Sequence, residues 1–194
     1  MYNIESIVEA LLYFAGLQEI KTKIIKACYL LESEYFDKTG QRLTNIKYKY
    51  YYYGPYSESI VNSMMNNKNI LYNPQISING NDYDLFKLIK ISSIHKFDPF
   101  TLSMIMKWAK IMQNSTLDKM LKLSYNDKNF KRTKKGHVIK FESDFLKKKE
   151  LLKKRFRDKY RNRELINEEI ESLKEVNNEE LIEYSRNLLR KSKD

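Results

Sequence analysis

The stretch Tyr48-Lys49-Tyr50-Tyr51-Tyr52-Tyr53-Gly54-Pro55-Tyr56-Ser57 holds six of the chain's fifteen tyrosines within nine residues. Tyrosine favours a pleated, half-buried surface, so the spacing predicts a strand from Ile46 to Tyr53. Pro55 has a fixed φ and no N–H, which stops the strand there. Ser57 is placed to cap a following helix, Glu58 to Asn66. The result is a stiff strand-to-helix corner. On one reading the corner presents tyrosines to a partner; on the other, alternate tyrosines pack on a core and the rest stay half-wet.

Upstream, Ile4, Ile7, Val8, Leu11, Leu12 and Ala15 recur at helical spacing, with Gly16 placed to end the helix. Ile20 to Phe36 predicts a second helix. Its stripe of Ile24, Ala27, Cys28, Leu31 and Tyr35 makes the lone Cys28 a buried structural thiol. Asp37 to Gly40 reads as a turn.

Downstream, Asn66 to Asn69 reads as a loop. Gln75-Ile76-Ser77-Ile78, the turn pair Asn79-Gly80 and the return Tyr83 to Leu88 predict a hairpin. Asp98-Pro99 is a helix start, with Asp as N-cap and Pro at the first helical position. Phe100, Ile105, Met106, Trp108, Ala109 and Met112 give that helix a broad apolar surface. Ser115 or Thr116 caps another helix through Leu123. Asp127 to Gly136 is a basic loop, and from Phe141 the pattern is helical to the end, with a break near Asn177-Asn178. The fold class is therefore mainly α, in an α+β sense: a helical domain with a small antiparallel sheet or hairpin, plus a C-terminal helical extension. The order of helix, helix, strand, helix and hairpin also fits a winged helix, with Glu58 to Asn66 as recognition helix and Asn79-Gly80 at the wing tip.

Lys23 and Tyr29-Leu30 on one helix are followed by Gly40-Gln-Arg-Leu43-Thr44, Tyr48 and the Tyr53-Gly54-Pro55 step. In this order they resemble the Panacea domain, the family of SocA-like antitoxins. Leu117 to Tyr125 and Phe130-Lys-Arg-Thr-Lys-Lys135-Gly136-His137-Val-Ile139 resemble the family's closing helix and Lys-Gly-x-x-Ile segment. Tyr56 stands where a small aliphatic residue is common, and the closing segment is unusually basic. The resemblance spans roughly residues 1–140, about the size of one domain, and leaves 141–194 as a basic-then-acidic helical extension. It implies a non-enzymatic antitoxin that binds a toxin or delivers it for proteolysis. The partner-binding candidates are Tyr48, Tyr51, Tyr53, Gly54, Pro55 and Tyr56, because aromatic anchors are favoured at interfaces.

Charge suggests a second class of partner. The formal net charge is +11. Residues 128–163 hold sixteen Lys/Arg against four Asp/Glu, while residues 164–194 are net acidic. Such clustering is the footprint of a polyanion binder. The candidates are Lys131, Arg132, Lys134 and Lys135 in the loop, then Lys147, Lys148, Lys149, Lys153, Lys154, Arg155 and Arg157 along the helix. The alternative reading is thus a DNA- or RNA-binding protein, such as a transcriptional regulator, working through a winged helix or the basic helix. A solvated face partly neutralised by Glu164, Glu168, Glu169, Glu171 and Glu175 is the bland counterpart.

The sequence contains no Gly-rich phosphate loop, no Cys-x-x-Cys and no His-Glu-x-x-His. His95 and His137 lie far apart and outside any carboxylate cluster, and no nucleophile has a base and an orienter. No catalytic residue, metal or cofactor is expected. With no long apolar run and no basic leader, the expected location is cytoplasmic and away from membranes.

Overall fold

In the computed structural model, residues 1–77, 80–92, 94–142 and 151–153 are described. The chain divides into two units, Met1–Leu146 and Lys147–Asp194. Every element named below belongs to the first.

Helix α1 (Ile4–Phe14) buries Ile7, Val8, Leu11 and Leu12. Asn3 caps it, its side chain accepting from the Glu5 N–H, and Gly16 at φ +92° turns the chain out of it. The chain then enters a strand that local pattern did not reveal. β1 (Gln18–Ile20) lies antiparallel to residues 85–87 of a distant strand. Three residues carry no readable alternation, so the helical pattern absorbed Ile20. That residue instead stands at the N-cap of α2 (Lys21–Thr39).

The middle of α2, Lys23 to Ser33, is buried on every side. It is the central helix, and Cys28 lies inside it as expected. The helix outruns its predicted end. Asp37-Lys38-Thr39 forms its last turn, and Gly40 at φ +68° closes it with an N–H on the Phe36 carbonyl. The buried Glu32 carboxylate then organises the following loop. It accepts from Arg42 Nε at 2.6 Å, Leu43 N at 3.0 Å, Thr44 N at 3.1 Å and Thr44 Oγ1 at 2.6 Å.

The tyrosine stretch departs from the predicted single strand. Only β2 (Lys49–Tyr51) is extended, the chain reverses at Tyr52-Tyr53, and Pro55 lies inside β3 (Gly54–Tyr56). Pro55 is tolerated because of the ladder's phase. Tyr50 spends both backbone groups on the opposite side, donating to His137 O at 2.9 Å and accepting from Gly136 N at 2.8 Å. Its partner Pro55 therefore sits at a non-hydrogen-bonded position, where no donor is needed.

Helix α3 (Glu58–Asn66) follows as predicted, burying Ile60, Ser63 and Met64. Ser57 stands at its N-cap, but its hydroxyl makes no capping bond and is buried without a partner among the described residues. The expected hairpin is longer than its alternating core. β4 (Ile70–Ile76) pairs along its length with β5 (Asp82–Leu88). Gly80, at φ +75°, donates to Ser77 O, while Ile78 and Asn79 fall outside the described residues. The sheet order is β1-β5-β4. The fold is mainly α with a small antiparallel sheet, and its element order is that of a winged helix with the β2–β3 hairpin inserted before α3.

Asp98 caps α4 (Pro99–Asn114), accepting from Thr101 N at 3.0 Å. Bonds from Thr101 and the Tyr2 hydroxyl lower its carboxyl pKa to about 2. Met104, Ile105, Trp108, Ala109 and Met112 are buried, whereas Phe100 and Met106 are exposed, so the helix buries a narrower stripe than its sequence suggests. Thr116 caps α5 (Leu117–Asn126). The region read as a basic loop begins with a short helix, α6 (Lys128–Lys131), capped by Asp127. Asp127 also accepts from the hydroxyls of Tyr29 and Ser33, which ties this region to α2. Phe141 packs on Tyr29, Phe36 and Tyr48, under the Arg42 guanidinium. The helix predicted from Phe141 does not begin there, since Phe141 and Glu142 are not helical, and of its later residues 151–153 are helical and exposed. The remainder, with the break near Asn177 and the acidic face of Glu164 to Glu175, lies outside the described residues.

Candidate functional site

The β2–β3 hairpin carries an exposed aromatic tip on a buried base. Tyr48 is the base. It is 1% exposed and packs edge-on against Tyr29 at 5.2 Å between ring centroids. Burial pushes its hydroxyl pKa well above the usual range, and among the described residues that hydroxyl has no hydrogen-bond partner. Tyr50 faces inward over Phe130 at 4.1 Å. Beyond it, Tyr51, Tyr52 and Tyr53 are 52%, 68% and 71% exposed.

The tip is held from beneath. Gly54, at φ +87°, is so close to α5 that a Cβ would lie 3.1 Å from Tyr125 Cε1 and 3.3 Å from Ser124 Oγ. Only glycine satisfies both the backbone angle and the space. The neighbouring Pro55 carbonyl accepts from Lys26 Nζ at 2.8 Å. Lys26 projects from the central helix and is 3% exposed, and burial lowers its pKa to about 8. Tyr51 packs on Tyr52 at 5.1 Å and on Tyr56 at 5.4 Å, so the rings brace one another.

The structure brings the two sets of predicted residues together. Residues 136–139 run beside β2, with Ile139 N on Tyr48 O at 2.7 Å and a bridge between Val138 and Lys49. The loop carrying Lys131, Arg132, Lys134 and Lys135 is thereby set against the tyrosine tip. All four are exposed, and Lys135 Nζ lies 4.1 Å above the Tyr52 ring. Burying a cation against a ring face in this way is favourable by about 0.5–1 kcal/mol at an exposed site.

The candidates divide by position. Tyr51 and Tyr53 lie at the surface, Tyr56 is half-buried, and Tyr48, Gly54 and Pro55 are buried supports. Tyr52 was missed. Strand alternation from Tyr48 and Tyr50 would turn it inward, but β2 ends one residue earlier and Tyr52 becomes part of the turn. A Tyr-Tyr-Gly step read as a turn would have found it. Lys147, Lys148, Lys149, Lys154, Arg155 and Arg157 lie outside the described residues, and Lys153 is exposed on its helical segment.

Other features carry little chemistry. The exposed face of α3 presents Glu58, Ser59, Asn62, Met65 and Asn66, with no cation. Burial and the nearby Glu32 raise the Cys28 thiol pKa. Among the described residues no group of His, Cys, Asp or Glu is arranged to hold a metal ion, and no helix is long and apolar enough to cross a membrane.

The described residues form a mainly α domain with a small antiparallel sheet and a projecting aromatic hairpin. Comparison with known families assigns it more closely. The model for antitoxin SocA-like proteins, Panacea domain, matches residues 24–131. That is more than half of the 194 residues, and the chain belongs to this family. No curated protein and no solved structure gives a significant match. The residues that carried the resemblance are largely internal. Lys23, Tyr29, Leu30, Leu43, Thr44, Tyr48, Gly54 and Pro55 are all buried. Much of the pattern that carried the resemblance is thus scaffold, while Tyr53 of the same pattern stands exposed on the tip.

Proposed function

We propose that this protein is the antitoxin of a toxin–antitoxin pair, acting without catalysis by direct binding of a toxic protein partner in the cytoplasm. Family membership supports the role. The observation that carries the binding reading is the rigidly supported run of exposed rings, Tyr51 to Tyr53. Three adjacent large apolar side chains at the surface are held by Gly54, Pro55 and Lys26 from below, so little ordering is left to be done on binding. Tyrosine at such a site offers broad contact area with few rotatable bonds. A groove-reading role for α3 has less support, because its exposed face begins with Glu58 and presents no cation to phosphate.

The test is neutralisation in cells. The toxic product of a neighbouring reading frame is co-expressed with this chain, either intact or with Tyr51, Tyr52 and Tyr53 all changed to Ser. Growth is expected with the intact chain and arrest with the variant, at equal soluble amounts of both. Full protection by the variant would remove the tip from the mechanism.

A further inference from the structure

We propose that the tyrosine tip and the loop 131–138 form one docking surface for an acidic segment of the partner protein, a reading that rests on the partner-binding role above and adds the partner's chemistry. The two parts are joined through the backbone pairing of 136–139 with β2. Outward from that seam stand Lys49, Lys131, Lys134, Lys135 and His137, all exposed, beside Arg132, which is paired with Glu142. Carboxylates at the margin are already engaged. Glu142 meets Arg132 at 3.3 Å, Asp37 is held by Lys128, and Asp127 accepts from Tyr29 and Ser33. The surface therefore presents cations beside rings. An acidic segment with interspersed apolar residues matches both, its carboxylates meeting Lys134 and Lys135 and its apolar side chains the tyrosines.

A nucleic acid would share the charge, but it binds such platforms by stacking bases on open ring faces. Here two of the three rings are partly covered, and Tyr53 alone is left without a ring or cation contact among the described residues. Lys135 covers Tyr52, and Tyr51 is packed between Tyr52 and Tyr56.

The experiment uses the full chain and three fluorescent probes at about 50 mM salt: a short peptide rich in Asp, Glu and Leu, the same peptide with Asn and Gln replacing the acids, and a single-stranded oligonucleotide of equal charge. The acidic peptide should bind at least about tenfold tighter than its amide twin. Lys134→Glu with Lys135→Glu should weaken it by about tenfold or more, and Tyr52→Ala should weaken it severalfold, with unchanged circular dichroism. Lys147→Gln, Lys148→Gln and Lys149→Gln together should leave it intact. Equal binding of the two peptides would overturn the proposal. So would a loss confined to the 147–149 variant, or an oligonucleotide that displaces the peptide from the loop. In the neutralisation assay the two ideas separate. Full protection by the Lys134→Glu, Lys135→Glu chain, with none from the tyrosine variant, removes the acidic partner and keeps the binding role. Full protection by both removes the tip and the loop alike from the mechanism.

Discussion

Lys26 provides a measurable handle on the support beneath the hairpin. It is buried and donates to the Pro55 carbonyl at 2.8 Å. Burial lowers its pKa from the ordinary 10.5 to about 8. That displacement is about 3 kcal/mol of differential interaction between its two protonation states. The sign follows from proton counting. Between about pH 8 and 10.5 the unfolded chain keeps the Lys26 proton while the folded chain has released it. Stability therefore rises with pH through that window and is lowest below it. Replacing the side chain in Lys26→Met removes the charge, keeps most of the volume, and leaves the Pro55 carbonyl without its donor. The last effect costs about 1–3 kcal/mol but is independent of pH. The buried hydroxyls of Tyr29 and Tyr48, whose pKa values burial raises, act in the opposite direction as the unfolded tyrosines ionise near pH 10. They are common to both chains, so the difference between wild type and variant isolates Lys26. The assay is urea unfolding followed by fluorescence of Trp108, the chain's single tryptophan, at steps from about pH 7 to about pH 9.5. Wild type should gain about 2 kcal/mol over the variant across this range. Parallel stability curves would refute a desolvated ammonium at this position.

Three further substitutions probe the same region. Gly54→Ala adds a Cβ 3.1 Å from Tyr125 at φ +87° and should destabilise by about 2–4 kcal/mol; a urea midpoint equivalent to less than about 0.5 kcal/mol of loss would contradict the packing described. Tyr48→Phe removes a buried hydroxyl that lacks a partner, so the variant should be more stable by about 1 kcal/mol, and a clear loss in thermal unfolding would mean the hydroxyl is bonded. Glu32→Gln turns an amide donor toward the Leu43 and Thr44 donors and breaks the pair with Arg42. It should cost about 2–3 kcal/mol by urea unfolding, with equal stability as the contrary result.

The parts of the fold legible in the sequence were those with local causes. Thr116 bonds and caps α5, and Asp98-Pro99 opens α4 where the dipeptide predicted. Long amphipathic stripes gave α1, α2 and α3. What stayed hidden depends on distant partners. β1 has three residues and exists only because residues 85–87 lie beside it. The phase that admits Pro55 into β3 is set by residues 136–137, more than eighty positions away, so local rules stopped the strand there. The short α6 is held by Asp127 and its bonds to α2, and composition alone made it a loop. For the candidate site, tyrosine density marked the stretch that forms the exposed hairpin, and charge marked the loop beside it. Their adjacency was not readable, because it arises from long-range pairing of 136–139 with β2.

Hydrogen exchange of the full chain with and without the proposed toxic partner tests the central claim most directly. Backbone amides of 49–56 and 131–138 should gain protection together on binding, while the exposed amides of β4 and the α3 face keep their free rates. Protection centred on α3 and the β4–β5 hairpin, with 49–56 unchanged, would contradict the account and move the interface to the winged-helix face.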